Sequence, residues 1–124
     1  FELKQDLKRL ESSNPLKYLS DTDVILKTQR KKVDNGGLFR DPKYVDDGAL
    51  ISGYIKNTAT IAEYKDVVIK VQYYSQTKSI ISSKSFTIYQ FFKPHSSTYF
   101  SIKDNPPKAY KTFGLSVQSA VVSN

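Results

Sequence analysis

The stretch DVVIKVQYY, residues 66–74, shows the clearest structural pattern in the chain. Its side chains alternate between a mainly apolar set and a more polar set, namely Val67, Ile69, Val71 and Tyr73 against Val68, Lys70, Gln72 and Tyr74. Successive side chains of a β-strand point to opposite faces of a sheet. The stretch therefore predicts a strand that buries one face, and it favours a β fold for the chain around it.

A similar period of two recurs on both sides of this stretch, between segments rich in turn-forming residues. It predicts further strands at 24–33, 49–57, 80–92, 97–103 and 112–118. We expect turns at Asp21-Thr22-Asp23, 75–79, 94–96 and 105–107, and an irregular connection at 38–48. Because no helical pattern separates the strands, the chain should form an antiparallel sandwich or barrel and not a parallel α/β sheet.

Two of the predicted strands contain an irregular position. Gly53 interrupts the strand at 49–57, where the missing side chain indicates a close approach of another segment or a bulge. In the strand at 80–92 the alternation changes phase after Ile88. This change predicts a bulge or a switch between sheets.

The N-terminal segment FELKQDLKRLE has an apolar stripe at helical spacing, formed by Leu3, Leu7 and Leu10 with Phe1 nearby. It predicts a short amphipathic docking helix that ends before Pro15, since the residue preceding a proline avoids the helical region. A helix of three turns is marginal in water, so it needs the sandwich, a neighbouring domain or a partner to lie on. We therefore expect a helix and lead-in segment at 1–22 and a β-sandwich domain at 23–124.

The length and composition of the chain limit the classes it can belong to. Its 124 residues are enough for one ordinary domain with its own core. The absence of cysteine excludes disulfide frameworks, zinc–thiolate sites and thiol catalysis. The absence of Met indicates a mature or trimmed chain, and no segment is long and apolar enough to span a membrane. Any membrane association should depend on a removed or upstream anchor.

The formal net charge of +7 is unevenly distributed. Residues 49–124 contain nine lysines, no arginine and only three acids, so the excess lies on the predicted sandwich. Such a positive field favours anionic partners of several kinds. Lysines interleaved with tyrosines are compatible with a polyanion such as nucleic acid or an anionic glycan. Nucleic acid is disfavoured as a partner because arginine, the preferred reader of phosphates and bases, is missing there.

The sequence offers no convincing catalytic, cofactor or metal site. His95, the only histidine, follows a proline in a predicted turn and has no carboxylate near it in sequence to orient it. The connection after the first strand is rich in oxygen ligands, which are Asp34, Asn35, Asp41, Asp46 and Asp47. It lacks the spacing of a calcium-binding loop, and whether it holds a cation stays open. We therefore expect a protein that is not an enzyme and that has no cofactor.

Exposed tyrosines and lysines on the outer sides of the strands are the best candidates for a binding surface, because tyrosine is enriched in interface cores. The expected interaction face consists of Tyr54, Lys70, Tyr74, Tyr89, Tyr99 and Lys103.

Four segments of the chain together match a family pattern: LISGYIKNTAT (50–60), YKDVVIKVQYYS (64–75), FFKPHSSTYFSIK (91–103) and FGLSVQSA (113–120). In their order and spacing they resemble the FxLYD-type domain, over residues 50–121. Two positions depart from the family pattern. His95 stands where the family usually has glycine after proline, and Lys78-Ser79 replaces the usual Asp-Gly hairpin.

The resemblance implies a fold, a location and a class of function. The expected fold is an all-β, immunoglobulin-like antiparallel sandwich of about seven strands. The expected location is extracytoplasmic, in the periplasm or at the cell surface, as in lipoproteins of Bacteroidota-like envelopes. The expected function is non-catalytic binding or scaffolding, with protein partners in a cell-envelope assembly that are met at strand edges and at the Tyr/Lys-rich face. Binding of a polyanion is the alternative.

Overall fold

The computed structural model describes residues 2–34, 36–37 and 41–123, without the side chains of Glu2 and Asp34. The chain begins with two helices, α1 (Glu2–Ser13) and α2 (Pro15–Tyr18). Six strands follow in the described part of the chain: β1 (Leu19–Asp34), β2 (Lys43–Asn57), β3 (Tyr64–Tyr74), β4 (Ile80–Phe92), β5 (Ser96–Asp104) and β6 (Thr112–Val122).

The strands form two antiparallel sheets of three strands each, in the orders β1-β2-β5 and β4-β3-β6. Both sheets contribute to one interior, as in a β-sandwich. From the first sheet come Ile55 and Phe100, and from the second come Tyr64, Ile69 and Phe92. The all-β prediction is therefore confirmed, with six strands in the described residues where about seven were expected.

The strand that carried the prediction, β3, lies at the centre of its sheet. Its inward side chains are fully buried, and they are the predicted Val67, Ile69, Val71 and Tyr73. The β4 segment remains one strand, and the predicted phase change is a bulge, because Lys65 pairs with Phe91 while Val67 pairs with Ile88.

The first third of the chain differs most from the prediction. The predicted turn at Asp21-Thr22-Asp23 is wrong, because β1 begins at Leu19 and continues through these residues with an irregular register. Residues 43–48, expected in an irregular connection, belong to β2 and pair with the second half of β1. Long-range pairing between the two strands overrides the local turn signals of the aspartates.

Gly53 explains the irregularity in β1. A Cβ atom at this position would lie 3.0 Å from Cγ2 of Val24 and 3.1 Å from the backbone oxygen of Thr22. The prediction of a close approach is confirmed. Val24 reaches the interior because the β1 backbone comes so near to β2 at the residue that has no side chain.

Asn57 organises the connection between the two sheets. Its Nδ2 donates to the backbone oxygens of Ala62 and Phe92, both at 3.0 Å, and its Oδ1 accepts from the backbone N–H of Ala59 at 2.9 Å. The side chain is fully buried. These bonds satisfy its amide group and hold the loop after β2 in one conformation.

Candidate functional site

The residues of the expected interaction face are divided between two opposite surfaces. Tyr54 and Tyr99 lie on the outer face of the β1-β2-β5 sheet, with Lys103 further along β5. Lys70 and Tyr74 lie on the outer face of the other sheet, because they alternate with buried residues of β3. The remaining member is Tyr89 of β4, which is 80% exposed. The structure thus brings three of the six residues together on one face.

The pair of tyrosines is the most distinctive feature of the first face. Tyr54 and Tyr99 are direct cross-strand partners, and their ring centroids lie 5.6 Å apart with an interplanar angle of 68°. This edge-to-face arrangement is favourable for aromatic rings. The rings nevertheless remain 41% and 51% exposed. The pair is therefore preorganised by the sheet and open to contact.

Neighbouring residues extend this exposed surface along the sheet. Ile25 of β1 is 60% exposed and pairs with Ser52 of β2, one outward position away from Tyr54. We name this surface the tyrosine face and define it by Tyr54 and Tyr99 at its centre with Ile25, Lys27, Lys56 and Lys103 around them. It combines an aromatic centre with a charged rim; protein-binding surfaces usually have an apolar core rich in tyrosine and a polar rim, although lysine is not enriched in them.

The rim of the tyrosine face is positively charged at both ends. Lys56 lies two residues from Tyr54, and Lys27 and Lys103 flank Leu50 in the same register row. Nζ of Lys103 lies 3.1 Å from Oδ2 of Asp47. Both partners are about half exposed, so the ion pair contributes little to stability. The rim is suited to steering an acidic partner towards the tyrosines.

The predicted docking helix is present, but its leucine stripe does not rest on the sandwich. Leu3 is 85% exposed and Leu10 is 48% exposed, whereas Leu7 is partly buried. Phe1 lies outside the described residues. The sandwich, a neighbouring domain or a partner was expected to support this stripe, and the sandwich does not cover Leu3 or Leu10.

The helix is held by a residue that the sequence pattern did not indicate. The carboxylate of Glu11 is buried and accepts the backbone N–H groups of Thr60, Ile61 and Ala62 at 2.8 to 2.9 Å. The Tyr64 hydroxyl donates to the backbone oxygen of Glu11 at 2.6 Å. The partners lie about fifty residues away in sequence, and the only local signal is an acid in the last turn of a helix, where the dipole disfavours it.

These contacts change the titration of both side chains. Burial raises the pKa of Glu11, but the three backbone hydrogen bonds outweigh it and hold that pKa below its usual range. Burial, together with the negative charge of Glu11, raises the pKa of Tyr64 to about 12. Glu11 is therefore an ionised anchor at neutral pH.

A second buried carboxylate, that of Asp104 at the C-terminal end of β5, joins the two sheets. Oδ2 of Asp104 accepts from the Tyr73 hydroxyl at 2.6 Å, and Oδ1 lies 2.8 Å from Nζ of Lys84. Burial raises the pKa of Asp104, but the hydrogen bonds from Lys84 and Tyr73 outweigh it and lower that pKa overall. The pKa of Tyr73 is raised, first by burial and then by its bond to Asp104. The sequence pattern did not indicate this contact either.

The remaining candidates have simple structural surroundings. His95 is exposed in the turn between β4 and β5, as expected. Of the acidic connection, Asn35 and the side chain of Asp34 lie outside the described residues, and Asp47 pairs with Lys103. Within residues 2–34, 36–37 and 41–123, no three metal-ligating side chains lie close enough together to hold an ion.

Comparisons of the chain with protein-family models, with curated proteins and with solved structures found no match. Among the residues described, neither helix has the length and apolar character needed to cross a bilayer.

Proposed function

We propose that the chain is a non-catalytic binding or scaffolding module that contacts a protein partner through the tyrosine face. The observation that carries this proposal is the exposed Tyr54–Tyr99 pair, held by direct cross-strand pairing and surrounded by lysines. A rigid aromatic pair loses little conformational entropy on binding, and tyrosine is one of the residues that most often dominate interface energy.

We further propose that the module is an immunoglobulin-like domain of the FxLYD type and that it acts outside the cytoplasm, in a cell-envelope assembly. The strand order supports the fold assignment. In constant-type immunoglobulin domains strands A, B, E and D share one sheet and strands C, F and G form the other, and variable-type domains add strand C′ to the sheet of strand C. Here β1, β2 and β5 form one sheet, and β3 lies between β4 and β6 in the other. On this assignment β4 corresponds to strand C′, and strand D has no counterpart among the described strands. The turn-capping Asn57 and the closely packed Gly53 also fit the family pattern.

The proposal is tested by capture of partners from the cell envelope of the source organism, followed by mass spectrometry. The wild-type chain is compared with a Tyr54→Ala/Tyr99→Ala variant and with Tyr89→Ala, which removes an exposed tyrosine from the other sheet. We expect a protein that the wild type and Tyr89→Ala retain and that the double variant loses. Equal capture by all three chains would contradict a role for the tyrosine face.

The alternative function, binding of a polyanion, is favoured by the lysines on the same face. It predicts an affinity that falls steeply with salt, because bound counterions are released. Contact through the tyrosine pair, with the lysines only steering the encounter, predicts a much weaker dependence that lies mainly in the association rate. Titration of the captured partner between low and physiological salt separates the two functions.

A further inference from the structure

Among the described residues the two sheets end in four edge strands, which are protected from further pairing to very different degrees. Exposed edges are usually guarded by charges, proline or bulges. The β1 edge has three irregularities of register and several basic residues, and β4 has a bulge and Lys84. The β5 strand ends in Lys103 and Asp104. By contrast, β6, with the sequence TFGLSVQSAVV, contains no charge and no proline over eleven residues, and its two irregularities of register with β3 lie between Val117 and Val121.

The inward side chains of β6 are also incompletely covered. Phe113, Leu115 and Val117 face the interior but are only partly buried. Their register partners on β3 are Tyr73, Val71 and Ile69, all of which are fully buried. The difference arises because the sheet ends at β6 in the described part of the chain. These three side chains are therefore partly accessible along this edge, although β1 also approaches β6.

One half of the β6 edge is more accessible than the other. The cleft beside Gln118, Ser119 and Ala120 is lined on its other side by residues 13–17, which include α2. Thr112–Val117 lies outside this cleft, and it is about the length of an ordinary strand.

The surroundings of this segment indicate the chemistry of an incoming strand. Its inner side chains would meet the partly buried Phe113 and Leu115 and should be apolar. On the outer face Lys70 pairs with Ser116, and the exposed Lys111 directly precedes the strand. Outer side chains of an incoming strand should therefore be acidic. The net charge of +7 disfavours a second copy of this chain at the same place.

We propose that the Thr112–Val117 edge binds an extended segment of another protein, in which apolar residues alternate with acidic ones. Main-chain hydrogen bonds add this segment to the β4-β3-β6 sheet as a fourth strand, and its apolar side chains cover the open flank of the core. This inference rests on the proposed function, because it assumes a protein partner. It goes further by naming a second contact site, apart from the tyrosine face, and the kind of segment that binds there.

The test uses a short, blocked peptide in which Val alternates with Glu, titrated into the whole chain and followed by amide NMR. We expect saturable shifts and slowed hydrogen exchange that are confined to residues 112–117 and their neighbours on β3. A control peptide in which every second residue is N-methylated lacks half of the main-chain donors and should not bind. Binding of both peptides alike, no saturation, or shifts centred on another edge would overturn the proposal.

Charge variants at one exposed position sharpen the test. Ser116→Glu should weaken binding of the acidic peptide by about fivefold or more, and Ser116→Lys should strengthen it, because like and unlike charges then face the peptide. Ser97→Glu, on the outer face of the other sheet, is the matched control and should leave the affinity unchanged. Equal affinities for the two Ser116 variants would contradict the assigned edge.

Two further results separate this inference from the proposed function. The Tyr54→Ala/Tyr99→Ala variant should bind the peptide normally, so loss of envelope capture with intact peptide binding supports the inference and both sites. Intact capture by the tyrosine face with no peptide binding at β6 overturns the inference alone. Dimerisation through β6 without peptide, measured by sedimentation, would identify a second copy as the occupant and would also overturn it.

Discussion

Two buried carboxylates at opposite ends of the sandwich solve the same physical problem in different ways. Glu11 lies beside the loop that follows Asn57, which pairs with Ser96 at the start of β5. Asp104 lies at the other end of β5, roughly 25 Å from Ser96 at the usual rise per residue. Each needs hydrogen-bond donors because an unpaired buried charge is very costly.

The donors differ at the two ends. Glu11 is held by three consecutive backbone N–H groups of one loop, whereas Asp104 is held by side chains of β3 and β4. The Glu11 contact joins a helix with exposed leucines to the sandwich, and the Asp104 contact joins one sheet to the other. Glu11 therefore secures a peripheral helix, and Asp104 secures the sandwich itself.

The largest effect expected from this comparison is that of Asp104→Ala. It should lower the free energy of unfolding by about 3 kcal/mol, because the buried Tyr73 hydroxyl loses its acceptor. Lys84 contributes less, since its side chain is 43% exposed and its ammonium can turn to water. The measurement is urea denaturation. Asp47→Ala, which removes a half-exposed acid whose ion pair with Lys103 contributes little, is the control and should change stability by less than about 0.5 kcal/mol.

A smaller and more local effect is expected for Glu11→Ala. It should cost about 2 kcal/mol, because three backbone N–H groups lose their acceptor. Hydrogen exchange should accelerate more than tenfold in α1 and at residues 60–62, beyond the change in the β3 core. The control is Asp6→Ala, which removes an exposed acid from the same helix. Uniform acceleration over the whole chain would show that the two ends do not differ as described.

The sandwich was predictable where its signals are local. The alternation in β3 and the turn that follows it at 75–79 depend on neighbours within a few positions, and the missing side chain of Gly53 indicated a close approach. The bulge in β4 was also visible, as a change of phase after Ile88.

The anchors were not predictable because their partners are distant in sequence. Glu11 looks like one more solvated acid on an amphipathic helix until residues 60–62 are brought beside it. The expected interaction face failed to form one surface for a related reason. Alternation shows that Lys70 and Tyr99 point outward, but it does not show from which of the two sheets.

A more subtle comparison concerns the two tyrosine hydroxyls. Tyr73→Phe should cost about 1.5 kcal/mol, because its acceptor is a charged carboxylate, and Tyr64→Phe about 1 kcal/mol, because its acceptor is a backbone oxygen. Both substitutions keep the buried ring, so each serves as the control for the other. Urea denaturation at neutral pH measures the difference, and a larger loss for Tyr64→Phe would contradict the order.

The smallest expected effect is a change in how stability depends on pH. The folded-state pKa values of Glu11 and Asp104 lie below their ordinary values, so both carboxylates contribute stability above those values and lose it as the pH falls through the folded ones. Glu11→Gln and Asp104→Asn cannot ionise, and each should make the acid loss of stability shallower. Because the two sites lie far apart, the changes in slope should add in the double variant.

The alkaline limb provides the matching control. The pKa of Tyr64 is raised to about 12 from an ordinary 10, so its contribution is complete below pH 10 and is lost as the pH rises towards 12. Tyr64→Phe should flatten this limb and leave the acid limb unchanged, as measured by denaturation at a series of pH values. The Tyr64 hydroxyl bonds to the backbone oxygen of Glu11, whereas the Glu11 carboxylate bonds to residues 60–62. If Tyr64→Phe changed the loss of stability at acid pH as strongly as Glu11→Gln does, this separation of the two groups would be wrong.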